Sequence, residues 1–195
     1  MRLTDRCRGI IAGAILGDGC LERNGRFVRL RIDHGERQKA LVEWKHKQLA
    51  ELSPTPIRRV TVLDQRTGKT YVHYRFETCA TPELKEYYHA FYSNGVKQVP
   101  SQVASYLTSA LSIAVWYMDD GSRRSDCCGG YFNTQGFALG EVSRLQECLA
   151  RNFGFNTRIH WAAGRPRIHV AGDDFRTLCT MIRAYVIPEL QYKLL

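Results

Sequence analysis

Two aspartates close two similar apolar runs: Asp18 in "AGAILGDGC" and Asp120 in "AVWYMDDGS". Each is followed by glycine, which commonly ends a helix and turns the chain. One Asp-Asp-Gly signifies only a helix end. Two acids in matching places, at an offset of 102 residues (18 to 120), signify a repeated device. Carboxylates hold Mg²⁺ well, and a divalent ion can activate water and neutralise a phosphate during phosphodiester hydrolysis. Aligning Gly121 with Gly19 pairs Asp120 with Asp18 and sets Asp119 against Gly17, which has no side chain. Asp119 is therefore expected to offer a backbone oxygen at most, its carboxylate turned to solvent or to an arginine. "DHGE" (33–36) then falls against "TQGF" (134–137), pairing His34 with Gln135. Sixteen residues separate Asp18 from His34 and fifteen separate Asp120 from Gln135. Both are polar residues that precede a glycine at a strand-to-helix corner. Gln135 shares a strand face with Tyr131 and Asn133, whereas strict alternation puts His34 with Leu30 and Ile32 on the core side.

The elements that must position these groups also repeat. Leu3 to Leu16 reads as a helix, capped by Thr4 or Asp5 and closed by Gly17-Asp18-Gly19. Asn24-Gly25 is a two-residue hairpin turn within "CLERNGRFVRLRID". "ERQKALVEWKHKQLAEL" has a helical period, with Leu41, Trp44 and Leu52 among its apolar positions. "IRRVTVLD" and "TYVHYRFET" are strands, and "PELKEYYHAFY" is a helix with Pro82 in its first turn. The second half opens at Pro100 with a helix, "SQVASYLTSALSIAVWYM". A connection through "SRRSDCCGG" leads to the strand "YFNTQ". "GEVSRLQECLARNFG" is a helix closed by Gly154, "TRIHWAAGRPRIHV" a hairpin, and "DDFRTLCTMIRAYV" a last helix. The order αββαββα occurs twice, predicting an α+β fold of two pseudo-symmetric halves, 1–97 and 98–195.

The 28 Lys and Arg exceed the 19 Asp and Glu by nine, which favours a polyanionic partner. No apolar run approaches the roughly 20 residues that span a bilayer, so no membrane role is expected. The N-terminus "MRLTDRCRGI" lacks the apolar segment of an export signal. Seven cysteines, an odd number without Cys-x-x-Cys, argue against a disulfide framework or zinc ribbon. An intracellular setting is expected, either bacterial cytoplasm or the interior of a chloroplast or mitochondrion.

"IAGAILGDG" and "IAVWYMDDG" resemble the two signature helices of the LAGLIDADG homing endonucleases. "WYMDDGS", "YFNTQGF" and "VIPELQYKLL" are similar to the intron-encoded branch that carries both motifs in one chain. The resemblance implies motif helices packed at a central pseudo-twofold axis and saddle-shaped antiparallel sheets facing duplex DNA. It implies a metal-dependent double-strand endonuclease acting as a monomer, with Mg²⁺ as cofactor and Mn²⁺ able to substitute. Asp18 and Asp120 would be the catalytic metal ligands, assisted by backbone oxygens of Gly17 and Asp119, and His34 and Gln135 would organise the attacking water near them. A non-cleaving maturase that binds its host intron RNA is the alternative within the same family. The motif is modified here. Gly9, Gly13 and Gly17 form a stripe in the first helix, while Val115 and Trp116 lie opposite Gly13 and Ala14 in the alignment. Each interior glycine costs about 0.5–1 kcal/mol relative to alanine, a cost that close helix packing would explain.

Arg123 follows Asp120 by three and is a candidate to stabilise a phosphate, with Lys97 a further candidate. The strands supply a basic face independently of the family. Arg29, Arg31 and Asp33 alternate with Val28, Leu30 and Ile32. Tyr71, His73 and Arg75 alternate with Val72, Tyr74 and Phe76. Arg158 and His160 oppose Ile159 and Trp161, and Arg165, Arg167 and His169 oppose Ile168 and Val170. Such ribbons can enter a major groove, where arginine reads guanine. With Tyr131 and Asn133, and with Arg26, Arg59, Lys69 and Arg124 nearby, these polar residues are the expected DNA contacts.

Overall fold

The computed structural model describes residues 3–195. The first helix, α1 (Asp5–Leu16), begins where the Thr4 hydroxyl accepts from the Cys7 N–H at 3.2 Å. That bond satisfies one of the amides a helix start leaves open. Next come β1 (Cys20–Asn24) and β2 (Phe27–Gly35). Their turn lies one residue beyond the predicted place. Asn24 pairs with Phe27, so Gly25 and Arg26 form the corner, and Gly25 takes the positive φ (60°) the hairpin needs. The second helix, α2 (Lys39–Gln48), is shorter than its sequence period predicts, because separate 3₁₀ turns flank it at Glu36–Gln38 and Ala50–Leu52. Then follow β3 (Arg58–Asp64), β4 (Lys69–Glu77) and α3 (Glu83–Phe91). A small additional hairpin, β5 (Tyr92–Ser93) and β6 (Val96–Lys97), carries Lys97.

The long helix predicted from Pro100 is broken. Val103–Ser105 is a 3₁₀ turn, and α4 covers only Ala110–Asp120. Ser109 and Ser112 each accept the other's backbone N–H at 3.2 Å, a reciprocal cap that starts the helix afresh. Part of the predicted connection is a strand: β7 (Gly121–Arg123) leaves α4 directly and pairs with β8 (Gly129–Phe132). The chain finishes through α5 (Leu139–Phe153), β9 (Arg158–Ala162), β10 (Arg165–Ala171) and α6 (Gly172–Ile182). A 3₁₀ segment, Pro188–Lys193, follows.

Two four-stranded antiparallel sheets have the same order, β1-β2-β4-β3 and β7-β8-β10-β9. The α+β architecture and its internal repeat are thus as the sequence predicts. At the centre α1 and α4 lie against each other, both almost wholly buried. The glycine stripe makes this possible. A Cβ on Gly13 would collide with the Ser112 carbonyl and lie 2.8 Å from the Val115 Cβ. One on Gly17 would stand 2.5 Å from the Asp119 Cβ. Small residues on α1 thus face larger ones on α4. On its other side α4 anchors the second sheet, with Trp116 stacked on Phe132 at 4.1 Å. Among the described residues no helix is long and apolar enough to cross a membrane.

Candidate active site and nucleic-acid interface

The C-terminal ends of α1 and α4 bring the acids together. Asp18 lies just beyond α1, and its N–H donates to the Asp119 carboxylate at 3.2 Å. Its side chain is 46% exposed, open enough to meet a ligand. His34 Nδ1 lies 3.4 Å from Asp18 Oδ2. The buried face of β2 abuts the motif-helix ends, so core-side alternation delivers His34 to Asp18. The His34 hydrogen bond holds the Asp18 carboxyl below the ordinary carboxylate range, against the upward effect of burial.

Asp119 departs from expectation. Its carboxylate is fully buried, not solvated, and its partner is Lys45, not an arginine. Lys45 Nζ donates to Asp119 Oδ1 at 2.5 Å and lies 3.1 Å from His34 Nε2. The space for the carboxylate exists because Gly17 faces it without a side chain. Asp18, His34 and Asp119 present ligand atoms within 4.8 Å of one another, but the Lys45 ammonium already provides the cation beside Asp119 and His34.

Asp120 ends α4 and receives Asn133 through its carbonyl, from the backbone N–H at 3.0 Å and the side-chain amide at 2.8 Å. Burial, then the fields of Asp18 and Asp119, push its carboxyl up to about 7. This crowding of acids, with carbonyls beside them, is the kind of oxygen-rich donor set that a hard dication relieves. Two lysines reach the same helix ends. Lys97 Nζ donates to the carbonyls of Gly17 (2.9 Å) and Gly19 (2.7 Å). Lys193 Nζ donates to those of Met118 (2.7 Å) and Asp119 (3.3 Å). Both satisfy carbonyls that a helix leaves open and oppose the negative end of its dipole. Burial lowers the pKa of each. The Gly17 and Asp119 oxygens expected to face a metal thus already accept from ammonium groups.

Two other expectations are corrected. Cys20 faces Arg31 in the first hairpin and Ser122 faces Tyr131 in the second. The second hairpin is therefore shorter by two residues, not one, and His34 corresponds to Thr134 (34 to 134). Thr134 is buried and donates to the Pro166 carbonyl at 3.2 Å. Gln135 lies beyond β8 in a turn, off the face of Tyr131, and its carbonyl accepts from Arg165. Arg123 donates to the Leu194 carbonyl at 3.0 Å, tying down the end of the chain rather than serving Asp120. Lys45 and Lys193 were missed by the sequence reading. Lys45 looks like one polar residue among several in "EWKHKQ". For Lys193 the one hint is that it lies among apolar residues late in the second half, as Lys97 follows Val96 late in the first.

Each sheet has one face turned away from the helices. On the first, Arg29 and Arg31 pair with Glu22, Arg75 and His73 with Asp33, and Arg58 with Glu77. Lys69 and Tyr71 share this face, since they alternate with its members. Arg59 does not: its cross-strand partner is Tyr74, whereas Arg58 faces Arg75. Arg26 sits at the hairpin corner with its guanidinium over Phe27. On the second sheet, Arg158, His160, Arg165 and Arg167 surround Tyr131 and His169. Arg167 lies over the Tyr131 ring at 3.6 Å, and Arg124 donates to the Tyr131 hydroxyl at 3.2 Å. His169 is beneath this layer, stacked on His160 at 4.2 Å, with both ring nitrogens buried and unpartnered. It is thus unavailable as the surface contact the alternation predicts. Asn133 is directed to Asp120 and Ser122, not outward.

Known proteins are similar to this chain in sequence and in fold. The chain is 26% identical over 188 residues to the cytochrome b mRNA maturase bI2 of Debaryomyces hansenii, covering 93% of this chain and 71% of that one. It is 26% identical over 193 residues to a probable intron-encoded endonuclease 1 of Wickerhamomyces canadensis, covering 95% and 82%. RecA of Mycobacterium gastri also matches, and the chain spans about half of that protein's length (48%). Among solved structures, the homing endonuclease I-WcaI bound to its DNA recognition sequence superposes with a TM-score of 0.89 at 23% identity. It covers 100% of this chain and 88% of that chain, and shows the same fold. Residues 8–178 match the LAGLIDADG DNA endonuclease family, and they include both glycine-bearing motif ends and both sheets; the chain belongs to that family.

Proposed function

We propose that this chain is a site-specific homing endonuclease that cuts both strands of a DNA duplex with the help of a divalent metal. The observation that carries the reading is the meeting of Asp18 and Asp120 at the ends of two abutting helices, each end met by its own lysine. The carboxylates of Asp18 and Asp120 would hold Mg²⁺ or Mn²⁺, and the Gly17 and Asp119 carbonyls, which already accept from Lys97 and Lys193, each have a second lone pair to add. When bound, such an ion neutralises phosphate charge and supplies hydroxide near neutral pH. His34 orients Asp18, and Lys97 and Lys193 place positive charge where charge develops on the phosphate. The halves 1–97 and 98–195 act as one monomer, each serving one strand, and the duplex lies along the two polar sheet faces.

The test uses a duplex site selected from a randomised plasmid library, with Mg²⁺. The protein yields double-strand cuts, while Asp18→Asn and Asp120→Asn each abolish them and retain binding in a gel shift. Robust cutting by the double variant overturns the catalytic assignment. The likeness to a maturase supports a second reading, in which the chain binds its host intron RNA. Splicing of that intron with and without the protein separates the two.

A further inference from the structure

The two halves differ most at one buried side chain. Lys45 is 0% exposed, yet it sits on α2 between His34 and Asp119 and is ion-paired with Asp119. The second half has no equivalent. Val42 on α2 and Leu49 just beyond it match the buried Val142 and Leu149 of α5, which sets Leu145 against Lys45. Thr134 likewise stands where the first half has His34, and Gly17 lies against Asp119. Three departures from the repeat therefore meet in one contact network beside Asp18.

An ammonium has three donors and no acceptor. In contact with Lys45 at 3.1 Å, His34 Nε2 must accept, so the ring proton resides on Nδ1, which faces Asp18. We propose that Lys45 is a positioning residue that fixes His34 as the Nδ1–H tautomer and makes the Asp18 site chemically different from the Asp120 site. Asp119 completes the device. Its carboxylate neutralises Lys45 in the interior and, through Oδ2, accepts the Asp18 N–H. A buried charge is tolerated when paired and hydrogen-bonded in this way. The arrangement resembles the outer-shell partners that set the tautomer of a site histidine elsewhere.

The inference rests on the nuclease reading for its catalytic consequence, but not for the tautomer. In metal-free protein labelled with ¹⁵N-histidine, the His34 signals are assigned by their loss in His34→Gln. Nδ1 reads as protonated and Nε2 as unprotonated. In Lys45→Met the Nε2–H form becomes populated. Should that variant fail to fold, Lys45→Met with Asp119→Asn removes the stranded charge and serves the same measurement. Strand-resolved cleavage supplies the second readout. One strand slows about 10- to 100-fold, as loss of outer-shell partners does, and the nicked duplex accumulates while the other strand is cut at its former rate. An Nε2–H tautomer in the unaltered protein, or a tautomer unchanged by the substitution, overturns the proposal. Equal slowing of both strands overturns the claimed asymmetry. Failure of the unaltered protein to cut either strand instead refutes the nuclease reading and leaves the tautomer result to stand.

Discussion

The two halves share an order of elements and differ in how they treat charge. On the first sheet, Glu22, Asp33 and Glu77 accept the arginines and histidine around them, so the face is nearly compensated. On the second, among the described residues, Arg158, Arg165 and Arg167 have no carboxylate partner, and aromatic rings lie beneath them. The interior reverses the pattern. Lys45 and His34 of the first half are buried together against Asp119 of the second, and the second half fills the positions equivalent to Lys45 and His34 with Leu145 and Thr134. A repeat maintains its backbone through the spacing of apolar residues, while each polar position is free to diverge once its partners are supplied locally.

The largest stability effects belong to the interior. Lys45→Ala strands the Asp119 carboxylate and costs about 3–5 kcal/mol. Adding Asp119→Asn restores much of that loss. Leu145→Ala, the matching change in the other half, costs about 2–5 kcal/mol through an unfilled cavity, and Asp119→Asn does not relieve it. Urea denaturation of the four variants decides the matter. Equal behaviour of the two positions towards Asp119→Asn would show that Lys45 is held by packing alone.

Next in size is the motif-helix contact. Gly13→Ala pushes a methyl into the Ser112 carbonyl and Val115, so the helices must separate, at a cost of about 1–3 kcal/mol. Gly9→Ala meets mainly the Ser109 hydroxyl at 3.0 Å, a movable side chain, and costs less. Thermal melts that rank Gly9→Ala as the worse change would contradict the packing described.

These contrasts also explain what the sequence could tell. Asp18 and Asp120 were legible because the signal is local: an apolar helix, an acid and a glycine, twice. The sheets were legible from alternation, which separates Arg29 and Arg31 from Leu30 and Ile32. Lys45 was not legible, because nothing in α2 marks the one polar residue that points at another helix's end. The sequence points to Gln135 because alternation carried past Phe132 makes the second hairpin one residue shorter, where the pairing makes it two and brings Thr134 to the place of His34. Pairing across the sheet, not the order of residues, fixes that register. The helical period runs on to Pro100 because apolar residues continue through the Val103 turn, while the reciprocal serine cap is a specific contact that the period does not register.

Smaller effects separate the two sheet faces. Arg167→Ala removes an uncompensated cation, and DNA affinity becomes less salt-dependent, the slope of log K against log salt falling by about 1. Asp33→Ala has the opposite sign, because it frees Arg75, which pairs with it in this structure, to meet phosphate. Filter binding across a salt series checks both. A shallower slope for Asp33→Ala would mean that the first sheet does not lie along the duplex.

The smallest effect concerns the same aspartate and pH. Burial raises the Asp33 carboxyl, but hydrogen bonds with His73 and Arg75 outweigh it and leave the pKa below the ordinary value. A carboxyl depressed in the folded state contributes stability above its unfolded pKa of about 3.9, and that contribution is lost as pH falls through the lower folded value. The pairs are partly exposed, so the amount is about 0.5–1 kcal/mol. Urea midpoints measured from about pH 5 down to pH 2 should therefore fall more steeply for the unaltered protein than for Asp33→Asn. On the second sheet Arg167 has no such carboxylate, so Arg167→Gln should leave that acid slope unchanged. If it flattened the slope as Asp33→Asn does, the acid sensitivity would come from general charge repulsion and not from the compensation peculiar to the first half.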